Sequence, residues 1–213
     1  MNMLILGATG RVGSHVVTLA LDAGYDVTAL VRSPNKLNTE VRNNPNLHVI
    51  KGNVLNSQDV ELAISDNIDV VFSALATDKN DTLSQATPII IDAMVKQNKA
   101  RFISIGTAGI LQARSNPEVY RFQSQESRRK STNAAEDHLA AYHALKSSNL
   151  DWTIFCPTYL PDGPLTKQIL FEVDMLPENT SRITVTDTAW FTFQHLFNED
   201  FYGYRVGIGE KSM

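Results

Sequence analysis

The chain has 213 residues, of which 43% are hydrophobic and 20% are charged. These values are typical of one globular domain with a sizeable core, and no apolar run approaches the ~20 residues that cross a bilayer. The formal charge of −4 argues against a general nucleic-acid binder, which usually carries a basic surplus. The single cysteine, Cys156, excludes an internal disulfide and lies in an apolar run, so we interpret it as a buried thiol. Because the chain opens on a strand-like run, we expect no signal peptide. We also expect a cytoplasmic protein that is a monomer or a homodimer.

Strand-like and helix-like segments alternate as far as residue 156, which is typical of a parallel sheet covered by helices. The predicted strands are residues 3–6, 26–31, 47–51, 68–74, 101–105 and 151–156. The predicted helices are residues 12–23, 57–66, 83–98 and 130–148. The alternation predicts an α/β fold of the Rossmann type, with a doubly wound parallel sheet and helices on both faces. Ligands of such sheets bind beyond the carboxyl ends of the strands.

The pattern weakens after residue 164. Short strands are predicted at residues 168–173, 182–185 and 204–208. A helix is predicted from about Asp187 to Phe197, with Thr186 or Asp187 as its N-cap.

A glycine-rich turn, Gly7-Ala-Thr-Gly-Arg-Val-Gly13, separates the first predicted strand from the first predicted helix. Because glycine lacks a Cβ, Gly7 can take a tight turn, Gly10 can admit a pyrophosphate and Gly13 can let the helix pack closely on the sheet. The helix N-terminus would direct unpaired N–H groups and a partial positive charge at the phosphates. The order of strand, glycines and helix favours a dinucleotide-binding turn over an ordinary tight turn.

The end of the second predicted strand selects the cofactor. An acidic residue at this position binds a ribose 2′-hydroxyl, whereas an arginine accommodates a 2′-phosphate. The strand ends in Arg32 with no acidic residue, Lys36 follows, and Arg11 lies inside the glycine turn, where it could reach the same phosphate. We therefore expect NADPH rather than NADH; the alternative is that Arg32 and Lys36 are solvated surface charges.

These motifs resemble those of the atypical short-chain dehydrogenases/reductases of the NAD(P)H-binding, NmrA-like group, and most of all its flavin reductase/biliverdin-IXβ reductase branch. The resemblance implies that one domain, residues 1–213, binds NADP(H), with residues 157–185 and 199–213 contributing a small C-terminal substrate-side lobe. Asn53 stands where the family usually has an aspartate that contacts the adenine amino group, and its carbonyl oxygen can accept the same bond. The residues expected to bind the cofactor are Gly7, Thr9, Gly10, Arg11, Val12, Gly13, Arg32, Ser33, Asn53, Val54, Ala74, Leu75 and Pro157.

The wider family uses a catalytic tyrosine with a lysine four residues later, and Tyr142 and Lys146 have this spacing. The pair lies too close to the sixth predicted strand, so we interpret it as neighbours on a helix surface. The expected neighbourhood of the catalytic pair, residues 128–132, contains no tyrosine. Without such an acid the chain is suited to flavins and quinones, which accept hydride into a conjugated system.

Two hydroxyls after the fifth and sixth strands, those of Thr107 and Tyr159, are the candidate catalytic groups, since each could orient an acceptor ring or relay a proton. The alternatives are a satisfied loop hydroxyl at Thr107 and a packing role at Tyr159.

The segment 112–131 is long, polar and locally basic, with Arg114, Arg121, Arg128, Arg129 and Lys130. It is either a binding loop for an anionic acceptor such as a flavin phosphate or a solvated connection with part of a helix. The scattered histidines indicate no metal site.

Three classes of function follow. The leading one is an NADPH-dependent reductase of a flavin, a quinone or a related small conjugated acceptor, with flavin as a possible substrate. The second is a non-catalytic NADP(H)-binding redox sensor that regulates a protein partner. The third is an isomerase or epimerase that retains its cofactor. A reductase should oxidise NADPH with some acceptor, whereas a sensor should bind it unchanged.

Overall fold

The computed structural model describes residues 1–65, 67–77, 81–127 and 131–211. The strands within these ranges are β1 (Asn2–Leu6), β2 (Asp26–Val31), β3 (Leu47–Lys51), β4 (Val70–Ser73), β5 (Arg101–Ile105), β6 (Gln112–Ala113), β7 (Asn116–Tyr120), β8 (Asp151–Pro157), β9 (Ile169–Val173) and β10 (Tyr204–Glu210). The α-helices are α1 (Arg11–Asp22), α2 (Thr39–Arg42), α3 (Ser57–Ala63), α4 (Thr82–Lys96), α5 (Asn133–Lys146) and α6 (Val185–Gln194).

Eight strands form one sheet in the order β3-β2-β1-β4-β5-β8-β10-β9. All neighbours in this sheet are parallel except β10 and β9, which are antiparallel. Strands β6 and β7 form a separate antiparallel pair. The strand order reverses between β1 and β4, which creates the crevice where doubly wound sheets bind ligands. The predicted Rossmann-type α/β fold is confirmed.

Apolar residues of β1 alternate between two cores, one on each face of the sheet. Met3 and Ile5 pack in the cluster that includes α1 and α6, whereas Leu4 and Leu6 pack in the cluster that includes α3, α4 and α5. All four side chains are almost fully buried. Because successive strand residues point to opposite faces, a continuous apolar run is what a strand covered on both sides requires.

The structure confirms the six strands and four helices predicted before residue 156, with small differences at their ends. Helix α3 ends at Ala63 rather than at residue 66, which lies outside the described residues. Helix α5 begins at Asn133, and its predicted start, residue 130, also lies outside them.

The predicted strand at residues 182–185 is wrong, because Val185 begins helix α6. The N-cap is Thr184, whose side-chain oxygen accepts the backbone N–H of Asp187 at 3.0 Å, so the predicted caps Thr186 and Asp187 are also wrong. The apolar alternation of Ile183 and Val185 reflects their burial against the first core cluster rather than a strand.

The other late elements extend the sheet. Strands β9 and β10 match the predicted strands at 168–173 and 204–208, and they continue the sheet beyond β8. The assignment of residues 157–185 and 199–213 to a substrate-side lobe stays a prediction. Cys156 is fully buried on β8, as expected, and burial raises the pKa of its thiol to about 12. Among the described residues, no helix combines the length and the apolar character needed to cross a membrane.

Candidate cofactor and substrate site

A cavity of about 240 Å³ opens at the carboxyl ends of β1, β2, β3 and β4. It lies at the switch point of the sheet: β2 and β3 lie on one side of β1, and β4 and β5 lie on its other side. Its lining residues are Gly7, Thr9, Gly10, Leu30, Val31, Arg32, Gly52, Asn53, Val54, Leu55, Ala74, Leu75, Ala76 and Thr82. Eight of the residues expected to bind the cofactor are in this set: Gly7, Thr9, Gly10, Arg32, Asn53, Val54, Ala74 and Leu75.

The three glycines of the turn differ in what they permit. Gly7 has a φ of 80°, and a Cβ there would lie 2.6 Å from the carbonyl oxygen of Ala74. A Cβ at Gly13 would lie 2.2 Å from the carbonyl oxygen of Gly7. Gly10 has an ordinary φ of −81°, and its Cβ would lie 3.1 Å from the same oxygen. Gly7 and Gly13 therefore allow the close packing of the turn, whereas Gly10 keeps space open beside the cavity.

Helix α1 presents its N-terminus at this turn. Gly10 is the N-cap and supplies no side-chain hydrogen bond, and the first turn carries no acidic residue. The first N–H groups of an α-helix lack partners within the helix and carry the positive end of its dipole. The turn thus offers donors and positive potential to a phosphate group, which fits a dinucleotide.

The opposite end of the cavity offers groups for an adenosine moiety. Arg32 and Asn53 are exposed and line the cavity, and Ser33 is also exposed. The backbone N–H of Asn53 donates to Asp59 at 2.8 Å, and its side-chain oxygen accepts the N–H of Leu55 at 3.1 Å. These bonds hold Asn53 in place, and its amide oxygen keeps a second lone pair for an adenine amino group.

Arg11, Val12, Gly13, Ser33 and Pro157 do not line this cavity. Val12 and Pro157 are buried, Val12 on α1 in the first core cluster and Pro157 at the end of β8. The guanidinium of Arg11 is directed to the loop that follows β8: it donates to Asp162 at 2.8 and 3.1 Å and to the carbonyl oxygen of Leu160 at 2.7 Å.

The sequence analysis missed six lining residues: Leu30, Val31, Gly52, Leu55, Ala76 and Thr82. Gly52 had a signal, because it directly follows a predicted strand. A Cβ there would lie 2.8 Å from Leu30 Cδ1 and 2.9 Å from the Asp59 carboxylate, so a larger residue would require these two side chains to shift. Thr82 begins α4, and its place in the lining depends on how that helix meets the sheet, which no local pattern indicates.

A second cavity, of about 640 Å³, lies where β5 and β8 end. Its lining is rich in hydroxyl groups and consists of Ala108, Arg121, Glu126, Ser127, Thr158, Tyr159, Thr180 and Ser181. The side chain of Tyr159 is 70% exposed at this cavity. Thr107 is 6% exposed and lies next to the lining residue Ala108; its hydroxyl oxygen accepts the N–H of Gly109 at 3.4 Å. Their catalytic roles stay predictions.

The basic segment 112–131 is partly neutralised by acidic neighbours. Arg114 pairs with Glu172 at 2.5 Å and with Glu178 at 3.5 Å, and Arg121 pairs with Glu126 at 3.7 Å. The backbone N–H of Ser115 holds the pKa of the Glu126 carboxyl below its ordinary value. Residues 128–130, which include the other three basic residues, lie outside the described residues.

Tyr142 and Lys146 lie away from both cavities. The Tyr142 ring is 6% exposed, packs edge-on against Trp152 with 5.7 Å between ring centroids, and lies 4.4 Å from the guanidinium carbon of Arg205. Trp152 is the second residue of β8, and Pro157, at the carboxyl end of the strand, comes five positions later, a distance of roughly 16 Å. In the described part of the chain, no group of three or more His, Cys, Asp or Glu residues is arranged to hold a metal ion.

The sequence matches the model of a family described as NAD(P)H-binding over residues 7–199. The chain belongs to this family. That membership, together with short-chain dehydrogenase/reductase neighbours in structure, agrees with the resemblance to the atypical, NmrA-like group. The family description therefore assigns binding of a nicotinamide cofactor to this chain.

Solved structures with the same fold cover almost the whole chain. A Bacteroides thetaiotaomicron protein provisionally named an epimerase is 26% identical, with a TM-score of 0.85 over 100% of this chain and 98% of its own. A Veillonella parvula short-chain dehydrogenase/reductase in complex with NADP is 21% identical, with a TM-score of 0.78 over 98% and 94%. A Streptococcus pneumoniae protein provisionally named an NADH-flavin reductase is 23% identical, with a TM-score of 0.79 over 99% and 100%.

The curated relatives are longer proteins. An uncharacterised chloroplastic protein of Arabidopsis thaliana is 27% identical over 191 residues, which are 84% of this chain and 64% of that protein. The chain spans between about a third and two thirds of the length of the curated relatives that it matches.

Proposed function

We propose that this protein is an NADPH-dependent reductase that transfers hydride to a flavin, a quinone or a related conjugated acceptor. The relation between the two cavities carries the proposal. The smaller cavity lies at the ends of β1 to β4, and the larger one lies at the ends of β5 and β8, which are the next strands in the sheet. A cofactor that extends along this edge would bring its reactive end to the border of the larger cavity.

The residues of the smaller cavity fit NADPH. Gly10 and the N-terminus of α1 would hold the pyrophosphate, and Asn53 would hold the adenine. Arg32 would bind the 2′-phosphate, because a charge-assisted bond to this group has no counterpart in NADH. NADPH supplies a hydride when it is bound, and the protein has to position the acceptor and exclude water.

The residues of the larger cavity support a conjugated acceptor. The exposed ring of Tyr159 offers an apolar face on which a planar ring can stack, and the hydroxyls of Thr158, Thr180 and Ser181 can bind its polar edges. Tyr142 packs against Trp152, Lys146 is exposed, and neither residue lines this cavity, so the proposal gives them no role as an acid there. Hydride transfer to a conjugated ring depends mainly on placement, so it tolerates this arrangement.

An epimerase that retains its cofactor is the second candidate. It is supported by the likeness to the Bacteroides thetaiotaomicron protein, which has the highest identity of the three structures described above. In an epimerase the hydride returns to the substrate, so the cofactor shows no net oxidation.

The test measures NADPH oxidation in the presence of riboflavin, riboflavin phosphate, menadione or biliverdin. The reaction is monitored by the loss of NADPH absorbance. Turnover with any of these acceptors supports the reductase. Tight NADPH binding with no oxidation by the whole panel would contradict it and favour a sensor or an epimerase.

Variants at the larger cavity test the acceptor site. Tyr159→Ala should raise the acceptor KM, while Tyr159→Phe keeps the ring and separates stacking from any role of the hydroxyl. The double variant Thr107→Ala/Tyr159→Phe removes both candidate hydroxyls and should alter acceptor kinetics modestly, with NADPH affinity almost unchanged. Wild-type acceptor kinetics in both Tyr159→Ala and the double variant would place the acceptor elsewhere.

A further inference from the structure

Arg11 connects the glycine turn to the loop after β8, here called the proline loop (residues 158–168). Its Nε and Nη2 both donate to one carboxylate oxygen of Asp162, and Nη2 also donates to the carbonyl oxygen of Leu160. The two partners lie 149 and 151 residues further along the chain. One side chain at the start of α1 thus contacts the first half of the proline loop, which is also held by the backbone N–H groups of Ile183 and Val185. These donate to the carbonyl oxygens of Tyr159 and Pro161, both at 2.9 Å.

The second half of the proline loop is anchored to α6. The Asp187 carboxylate accepts the backbone N–H groups of Thr166 and Lys167 and the hydroxyl of Thr166, all at 2.8 Å. The hydroxyl of Thr186 donates to the carbonyl oxygen of Gly163, also at 2.8 Å. These bonds place the second half independently of the glycine turn.

The first half carries the side chains that line the larger cavity. Thr158 and Tyr159 belong to that lining, and the carbonyl oxygen of Tyr159 accepts the N–H of Ile183 at 2.9 Å. The contacts of Arg11 with Leu160 and Asp162 follow directly after these residues. Arg11 therefore adds an anchor on the side of the glycine turn to a segment that backbone bonds already hold on the side of α6.

We propose that Arg11 is a positioning residue for the acceptor: it holds the proline loop against the glycine turn and so sets acceptor affinity, rather than binding a cofactor phosphate. The inference rests on the proposed function for its acceptor. Two of the three guanidinium nitrogens are directed to the loop, and Arg11 does not line the smaller cavity. Arg32 lines the smaller cavity at the end away from the glycine turn, in a position that suits a 2′-phosphate.

The expected effect is modest because the ion pair is exposed. The side chains of Arg11 and Asp162 are 55% and 88% exposed, and exposed ion pairs are screened by water and salt. The bond to the Leu160 carbonyl adds an anchor that does not depend on Asp162. Removing all of these contacts should change acceptor binding by about threefold to tenfold.

The experiment compares Arg11→Ala, Arg11→Lys and Asp162→Ala with the unmodified protein. Lys96→Ala is the matched control, since it removes an exposed ion pair with Glu61 on the surface between α3 and α4. NADPH affinity is measured by the fluorescence of the bound cofactor, acceptor KM and kcat are measured with riboflavin, and amide hydrogen exchange is followed in residues 158–168.

Arg11→Ala should raise the acceptor KM about threefold to tenfold, with kcat and NADPH affinity changed by less than about twofold, and it should speed hydrogen exchange in the proline loop. Asp162→Ala should act in the same direction but less, because the Leu160 bond remains, and Arg11→Lys should restore part of the loss. Lys96→Ala should change none of these quantities.

Two results would overturn the inference. One is a loss of NADPH affinity in Arg11→Ala of about tenfold or more with an unchanged acceptor KM, which would make Arg11 a phosphate ligand. The other is unchanged hydrogen exchange in the proline loop of that variant. The hydrogen-exchange measurement needs no acceptor. If no acceptor of the panel were reduced, the proposed function would be contradicted, but hydrogen exchange in the proline loop would still test the role of Arg11.

Discussion

A Cβ at Gly13 would lie 2.2 Å from the carbonyl oxygen of Gly7, so the first turn of α1 touches the backbone of the turn that precedes it. This oxygen also accepts the N–H of Gly10 at 2.9 Å. The contact fixes the direction in which α1 leaves β1. The glycines of this motif therefore divide into Gly7 and Gly13, which allow close packing, and Gly10, which we propose lies beside the pyrophosphate. Substitutions can separate the two roles.

Gly13→Ala should destabilise the fold, because its methyl group would overlap a backbone oxygen that cannot move aside. Gly10→Ala should leave a folded protein, since its φ is ordinary and its Cβ would lie 3.1 Å from the nearest heavy atom. It should nevertheless weaken NADPH binding by narrowing the space beside the cavity. Thermal unfolding and NADPH titration measure the two effects. Undiminished NADPH affinity in Gly10→Ala would contradict the placement of the pyrophosphate.

Arg32→Ala should weaken NADPH binding by about tenfold while leaving NADH binding nearly unchanged, because hydrogen bonds to a charged group contribute about 1.5–3 kcal/mol and this one is exposed. Titration of both cofactors measures the change. Lys36→Ala is the control, since Lys36 is also exposed but does not line the cavity. If the unmodified protein bound the two cofactors equally, the assignment of Arg32 would be wrong.

Tyr142→Phe should leave turnover essentially intact. The Tyr142 ring packs on Trp152 and Arg205, and this packing does not need the hydroxyl. Steady-state kinetics with the best acceptor of the panel is the measurement. A loss of about a hundredfold, the contribution of a general acid, would restore the standard mechanism with a tyrosine and a lysine.

Asp137 should contribute to stability in a pH-dependent way. Its carboxylate accepts the N–H groups of Leu83 and Ser84 at 3.1 and 2.8 Å and so caps α4 from the neighbouring helix α5. Burial alone would raise the pKa of this carboxyl, but the bonds from Ser84 and Leu83 outweigh burial and hold the pKa below its ordinary value of 3.8. The stabilisation is therefore fully present above pH 3.8 and is lost as the pH falls through the lower pKa of the folded state.

Asp137→Asn should cost about 1–2 kcal/mol of unfolding free energy at neutral pH and should flatten the loss of stability in acid. Denaturant unfolding at a series of pH values measures both. Glu136→Gln is the control, because Glu136 is the exposed neighbour of Asp137 on the same helix. An acid response equal to that of the unmodified protein would show that another group controls it.

Local pattern was enough to predict the main elements of the fold as far as residue 156 and eight of the residues that meet at the smaller cavity. The strands before residue 156 are continuous apolar runs, and the glycine turn is a contiguous motif, so each is encoded by neighbours in the chain. Eight of the expected cofactor residues meet at one cavity because the carboxyl ends of parallel strands share one edge.

The sequence by itself determined the order of the six strands and four helices predicted as far as residue 156, the glycine turn and the basic end of β2, because these depend on residues close together in the chain. The tertiary structure alone decided the partners of long polar side chains. Arg11, a candidate for the 2′-phosphate, meets Asp162, and Arg114, a candidate for an anionic acceptor, meets Glu172 and Glu178. The partner of a flexible charged side chain depends on which surfaces the fold brings within its reach. Arg11 and Asp162 are 151 residues apart in the chain, so no local pattern links them.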